Sequence, residues 1–322
     1  MKVLVAGGAG YIGAHVVRAL AEQEHQPVIL DDFRTSLESR TGDFPVEKVA
    51  LEETGDVLAV FEKHHPEAII HLGGYISVGE SVRDPDKYWN NNLGASISLL
   101  LASARFPVQV FVFSSTAAVY GNAEKMPIQE NTELLPTSPY GASKLAFEKV
   151  LHASAAALEF RSIALRYFNA SGANVPWHVG EQHDPEEHLI PRVIRALRSG
   201  NPVHVYGNDY PTPDGTCVRD YIHVMDLAEA HVRAIEATNL KGQHNFNIGT
   251  GHGHSVLQVI QAIAARLSVT PMIEIHSRRP GDPPQLVADP SVLISNLGWQ
   301  PISSSLEEII SSAVEWEFAH RP

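Results

Sequence analysis

Short apolar runs that stop at small or polar residues recur through the first half of the chain. Val3-Leu4-Val5-Ala6 runs into Gly7-Gly8-Ala9-Gly10, and Pro27-Val28-Ile29-Leu30 runs into Asp31. Ala68-Ile69-Ile70-His71-Leu72 gives way to Gly73-Gly74, Val108 to Phe113 to Ser114-Ser115-Thr116, and Ser162 to Tyr167 to Phe168-Asn169. Such unbroken apolarity marks strands covered on both faces, as in a parallel sheet. Between the runs the apolar positions take helical spacing: His15 to Gln23, then Leu93, Ile97, Leu100 and Leu101, then Leu145, Phe147, Val150 and Leu151. This rhythm predicts an α/β fold, an open parallel sheet with helices on both faces. Beyond Asn169 the alternation stops, and Gly, Pro and His become frequent from Gly172 to Pro191. A boundary near Asn169 follows, with 1–169 as a nucleotide-binding domain and 170–322 as a smaller substrate-binding domain.

The first strand–turn–helix carries Gly7, Gly10 and Gly13 at three-residue spacing. Glycines there permit a tight turn, close approach of backbone to a pyrophosphate, and packing of helix on strand. The second strand ends in Asp31, eighteen residues after Gly13. An acid at that position accepts both ribose hydroxyls of NAD and repels the 2′-phosphate of NADP. Together these predict a doubly wound Rossmann sheet that binds NAD. Thr35 and Ser36 add polar groups for the adenosine ribose, while the nearby Arg34 keeps NADP open. Leu72, Gly73 and Gly74 end a strand where a cofactor would pass. Asn91, in a run of asparagines, suits either a helix start or a ligand contact. Ser114, Ser115 and Thr116 end another strand at the ligand edge, and for the serines a turn-capping role is equally open.

Composition narrows the class. The chain has 322 residues, 44% hydrophobic and 19% charged, with a formal charge of −13. That charge argues against nucleic acid and against an anionic membrane surface as partners. The single Cys217 excludes an intrachain disulfide and suits a reducing compartment. Met1 leads straight into a strand, and no apolar run approaches ~18 residues, so the cytoplasm is the expected location. Among seventeen histidines, the pairs His183/His188, His252/His254 and His64/His65 show no Cys/His/acid cluster at ligand spacing. No metal site is expected.

Tyr140 and Lys144 concentrate the chemistry. At i and i+4 on a helix they project from one face. An ammonium within ~4–6 Å stabilises a phenolate, so the pair can form a base that takes a proton from an alcohol. Arg219 and Arg279, on separate loops, could clamp a diphosphate or simply pair with Asp220 and Asp282.

These segments together resemble the extended short-chain dehydrogenase/reductases, and within them the nucleotide-sugar epimerases of the NAD-dependent epimerase/dehydratase family. The match runs nearly end to end. It rests on Gly7 to Gly13, Val78-Gly79-Glu80-Ser81-Val82, Ser114-Ser115-Thr116, Tyr140 with Lys144, and Arg166-Tyr167-Phe168-Asn169. The most specific stretch is Gly207 to Thr212, Asp214-Gly215-Thr216 and Arg219-Asp220-Tyr221-Ile222-His223-Val224. The resemblance implies a retained NAD and an interconversion of UDP-galactose and UDP-glucose by transient oxidation at sugar C4. Tyr140 would take the 4-hydroxyl proton, Lys144 and the nicotinamide would depress its pKa, and Thr116 would bond the phenol and the sugar oxygen. Tyr11, Ile12, Asp31, Asp32, Thr35, Ser36, Leu72, Gly73, Gly74, Asn91, Ser114, Lys144 and Phe168 would contact NAD beside the glycine turn. Thr116, Tyr140, Asn169, His188, Leu189, Val205, Tyr206, Arg219, Arg279, Asp282 and Leu286 would line the UDP-sugar site. The resemblance also implies that a segment near 219–250 returns to the first domain. It implies a homodimer as well, through helices at 91–104 and 141–160.

Three positions depart from the family. Ala50 stands where an Asp usually holds the adenine, and Asp56 comes too late; Ile76 replaces a lysine near the nicotinamide ribose. Leu286 sits where side-chain size sets the width of the sugar pocket, and its intermediate bulk leaves N-acetylated and pentose sugars open as alternatives. A 4,6-dehydratase is disfavoured because Ala117-Ala118 follow Thr116 where that chemistry needs an acid pair. A non-catalytic NAD-responsive binding protein is the alternative from another class.

Overall fold

The computed structural model describes residues 1–279 and 281–320. Its main sheet has seven strands: β1 (Lys2–Ala6), β2 (Gln26–Leu30), β3 (Val46–Glu47), β4 (Ala68–His71), β5 (Val110–Thr116), β6 (Arg161–Tyr167) and β7 (Gln243–Ile248). Their order is β7-β6-β5-β4-β1-β2-β3, and every pairing is parallel. The order reverses beside β1, and that reversal opens a crevice at the carboxyl ends of the strands. The register brings those ends level: Ala6 lies beside Leu30 and His71, His71 beside Phe113, and Thr116 beside Tyr167.

Alternation along the strands divides the core. Val3 and Val5 face helices Tyr11–Glu22 and Val224–Glu236, in one cluster with Ile70, Val112 and Leu165. Leu4 and Ala6 point to the other side, where Phe111, Phe113 and Phe147 pack with helices Thr54–His64, Ser96–Arg105 and Pro139–Leu158. Both faces are therefore covered, which is why the strands read as continuous apolar runs. β7 was hidden from that reading because it is an edge strand, polar at Gln243, His244, Asn245 and Asn247. A separate core forms where helices Leu189–Arg198, Val256–Leu267 and Leu306–His320 enclose the strand Val203–Tyr206. Among the described residues no helix is long and apolar enough to cross a membrane.

Helix Pro139–Leu158 is positioned with unusual firmness. Ser138 caps its first turn by accepting from the Gly141 amide at 3.2 Å, and Pro139 occupies a first-turn position where no amide is needed. A Cβ on Gly141 would lie 2.6 Å from the Ala118 carbonyl, so glycine lets the helix start touch the loop after β5. Two turns on, Glu148 is buried and takes two hydrogen bonds from Arg166 of β6, at 3.0 and 2.8 Å, and one from Ser115 of β5. Arg166 also donates to Tyr120 at 2.8 Å, and Tyr120 donates to Asn247 of β7 at 2.7 Å. Removing one partner strands a buried charge, at a cost of about 3–5 kcal/mol. Arg166→Met should therefore lower unfolding free energy by about that amount in urea titrations, and Glu148→Gln by a smaller but clear margin. A shift below about 1 kcal/mol in Arg166→Met would show that the pair does not anchor the helix.

Candidate active site

The carboxyl ends of β1, β2 and β4 build a close backbone cradle. Gly7 has φ +82°, and a Cβ there would lie 2.5 Å from the Gly73 nitrogen; a Cβ on Gly13 would lie 2.1 Å from the Gly7 carbonyl. Gly7 is thus required by both conformation and space. The helix that follows has no side-chain cap at Gly10 and no acid in its first turn, so its leading amides stay available to an anion. Asp31 closes the cradle. Its carboxylate accepts from the Ala9 amide at 3.0 Å, the Phe33 amide at 3.0 Å and the Ser36 hydroxyl at 2.6 Å. Ser36 therefore orients Asp31, while Thr35 is exposed. Tyr11 is buried and spends its hydroxyl on the Gly172 carbonyl at 2.6 Å, which leaves its backbone to face the turn.

Tyr140, Lys144 and Thr116 converge at the next strand ends. Burial raises the Tyr140 hydroxyl above 10, and a hydrogen bond from Thr116 opposes that rise. Thr116 itself caps the turn after β5, accepting from the Ala118 amide at 3.1 Å. Lys144 is buried and donates to the Ser114 carbonyl at 3.0 Å, with its ammonium 4.9 Å from the Phe113 ring centre. Burial lowers its pKa to about 8. The ammonium expected to depress Tyr140 is thus engaged with the backbone of β5, and the phenol is held up by its apolar surroundings. Asn91 donates to the Lys87 carbonyl at 2.9 Å. Its neighbour Asn92, which the sequence reading passed over, is the buried one: it brackets Tyr75 by bonds to both its amide and its carbonyl, at 2.8 and 2.9 Å. Its amide oxygen also lies 2.9 Å from where a Cβ on Gly74 would sit. The helix runs as a π-helix over Trp89–Ala95, which shifts the register of these asparagines.

The second half contributes a cleft of about 730 Å³. Asn169, His188, Leu189, Tyr206, Arg219, Arg279 and Asp282 all line it. Val205 does not: its side chain points into the core beside Ile190 and Val193, because alternation on the strand sends His204 and Tyr206 outward. Leu286 packs against Tyr120, Leu145 and Phe168, next to the Thr116 turn. Arg219 is bonded to Asp282, whereas Asp220 is buried elsewhere and accepts from Thr250, Gly251 and Ala288. Arg279 stacks 4.2 Å over the Tyr206 ring. The two arginines therefore share one cleft.

A match to the family model for the NAD dependent epimerase/dehydratase family covers residues 3–249. The UDP-glucose 4-epimerase of Halalkalibacterium halodurans is 41% identical over 99% of this chain and 96% of its own length. The crystal structure of UDP-glucose 4-epimerase from Brucella ovis in complex with NAD superposes with a TM-score of 0.94 at 42% identity, over 98% of this chain and 97% of that one. That of the Stenotrophomonas maltophila enzyme, with bound NAD and formylated UDP-arabinopyranose, gives 0.95 at 36% identity, covering 99% and 98%. The chain belongs to the NAD-dependent epimerase/dehydratase family.

Membership makes NAD the cofactor to test against the cradle, and the residues fit it. Arg34, the one cation that kept NADP open, is held by Glu52 at 2.7 and 3.1 Å and by Asp32 at 2.9 Å, so it offers no free charge to a 2′-phosphate. The Ala50 stretch lies past the end of β3, and Leu51 approaches Gly73. Ile76 is exposed. Sequence spacing also missed a cluster on the cleft wall. His183 and His188 meet Glu181 and Glu186, with one ligand atom of each within 4.8 Å of all the others. The expectation of no clustered ligand set fails there, because an irregular loop converges residues that no helical or strand period would pair.

The depressed pKa of Lys144 has a thermodynamic sign. Its charged form is penalised in the folded state below about pH 8 and is unpenalised once the unfolded lysine also loses its proton near 10.5. Lys144→Met should accordingly be more stable than the parent at pH 7, by up to about 3 kcal/mol before the lost Ser114 contact is counted. That advantage should shrink steadily between pH 8 and 10.5 in ligand-free thermal melts. A stability difference independent of pH would contradict the burial of the charge.

Proposed function

We propose that this protein interconverts UDP-galactose and UDP-glucose. The observation that carries this reading is the buried Tyr140 hydroxyl, beside Thr116 and one helical turn from a buried Lys144, at strand ends that lead into the arginine-bearing cleft. In this reading the cradle from Gly7 to Gly13 takes the dinucleotide pyrophosphate, with Asp31 on the adenosine ribose. The cleft takes the UDP-sugar, with Arg219 and Arg279 on its diphosphate and Asn169, His188 and Leu189 beside it. Residues 1–169 with the returning 224–248 form the nucleotide-binding part, and the remainder forms the sugar-nucleotide part.

When bound, NAD supplies the acceptor and later the donor of the C4 hydride, and brings a positive charge to the site. Tyr140 Oη removes the C4 hydroxyl proton and returns it when the alcohol re-forms on the opposite face. Thr116 holds that oxygen in line and stabilises the ionised phenol. Lys144, close to half-charged near pH 8, is free to trade its backbone bond for a ligand hydroxyl. Leu286, packed on the same small core as Phe168, sets the width at the sugar end, and its intermediate size leaves substituted sugars as the alternative that the rates below distinguish.

A homodimer through the helices at 91–104 and 141–160 belongs to this reading, and the exposed Trp89 and Leu101 on or beside the first of them support that contact face. Size-exclusion chromatography should give a species of about twice the 35.2 kDa chain mass; a solely monomeric peak would remove the dimer. Incubation with UDP-galactose alone should yield UDP-glucose by NMR without added reductant, with UDP-N-acetylgalactosamine turned over far more slowly. Tyr140→Phe should lower the rate about 10²–10⁴-fold while keeping the parent's circular dichroism and NAD binding. Unchanged turnover in that variant would refute the assignment.

A further inference from the structure

Four metal-ligating side chains meet at the edge of the cleft, and three of them, Glu181, Glu186 and His188, line it. The Glu181 and Glu186 carboxylates each direct one oxygen at His188 Nδ1, at 2.8 and 2.9 Å. A single ring N–H can satisfy only one of them fully. Both oxygens also stand 3.8 Å from His183 Nδ1, a buried nitrogen with no hydrogen-bond partner. These four separations bracket the edge of roughly 3.3 Å that a tetrahedron with bonds of about 2.0–2.1 Å requires. The two carboxylates are equally placed toward each ring, and all four atoms lie within 4.8 Å of one another. Two carboxylates and two neutral imidazoles would balance a divalent ion.

The surroundings support these ligands as a metal shell would need. Arg195, itself paired with Glu317, donates to the second Glu186 oxygen at 3.4 Å, while the first oxygen, which accepts the His188 amide at 3.1 Å, is the one turned to the cluster. The Glu186 carboxylate also accepts the backbone amides of His183 and His188, fixing the loop around itself. Glu181 is buried, its carbonyl bonded by Trp316 at 3.1 Å, and Gly180 lies flat against that indole, where a Cβ would come within 2.2 Å of the ring. Such outer contacts orient ligands before an ion arrives.

We propose that Glu181, His183, Glu186 and His188 bind one divalent cation of the zinc class. Mixed nitrogen and carboxylate donors at this spacing suit zinc above magnesium or calcium, which take six or more oxygens. The ion ties the 181–188 loop to the start of helix Leu189–Arg198, so it fixes the lip of the cleft at His188 and Leu189. The site is independent of the hydride chemistry and does not rest on which sugar is turned over.

The test uses full-length protein stripped with chelator, dialysed against ZnCl2 or CoCl2, and passed through a desalting column. The parent should retain one equivalent of metal by elemental analysis, show the intense visible bands of tetrahedral cobalt, and melt at higher temperature with zinc than without. His183→Ala and, as the isosteric check on folding, Glu181→Gln should each weaken retention at least tenfold and lose the cobalt bands. His204→Ala serves as the control for adventitious binding at the exposed cluster of His204, Glu274 and His276; this variant should behave as the parent. No retention by the parent, equal retention in both ligand variants, or loss only in His204→Ala would each overturn the proposal.

Discussion

The contact on which the site depends is the buried pairing of Glu148 with Arg166. Tyr140, Lys144 and Glu148 occur at successive four-residue steps, so one stripe of helix carries the phenol, the ammonium and the anchor. The anchor bonds to both β5 and β6, whose ends supply Ser114, Thr116 and Tyr167. A buried ion pair adds little net stability compared with apolar packing, but it permits only one register. Sliding the helix by a residue would strand both charges. Placement of Tyr140 against Thr116 is therefore a consequence of electrostatics two turns away.

The same economy governs the anion-binding elements. A chain of net charge −13 cannot attract a nucleotide by its overall field, so local devices must do so. The uncapped helix start at Gly10 is one. Arg219 and Arg279 on the cleft are the proposed others, and neither is idle: one is bonded to Asp282 and one rests on Tyr206. Pre-pairing holds each guanidinium in position at low entropic cost, and a ligand's phosphates then compete with partners already arranged. Burial works in the opposite sense at Lys144 and Tyr140, where it disfavours both charged forms. For Tyr140 to act as a base near neutrality, a bound ligand's positive charge has to offset the rise that burial imposes on the phenol.

Local sequence alone determined the sheet's inner strands, the glycine turn, Asp31 and the Tyr140–Lys144 pair. Each of these depends on short-range geometry: apolar runs buried on both faces, a backbone approach that excludes Cβ, a helical four-residue step. Tertiary structure decided the rest. Packing against the neighbouring core turned Val205 inward, and the π-helix buried Asn92 against the Tyr75 backbone. Arg34 lost its freedom to Glu52, eighteen residues away, and β7 joined the sheet as a polar edge strand that no apolar pattern marks. The convergence of Glu181, His183, Glu186 and His188 belongs to the same group. Irregular loops have no period, so only folding reveals which of their side chains meet.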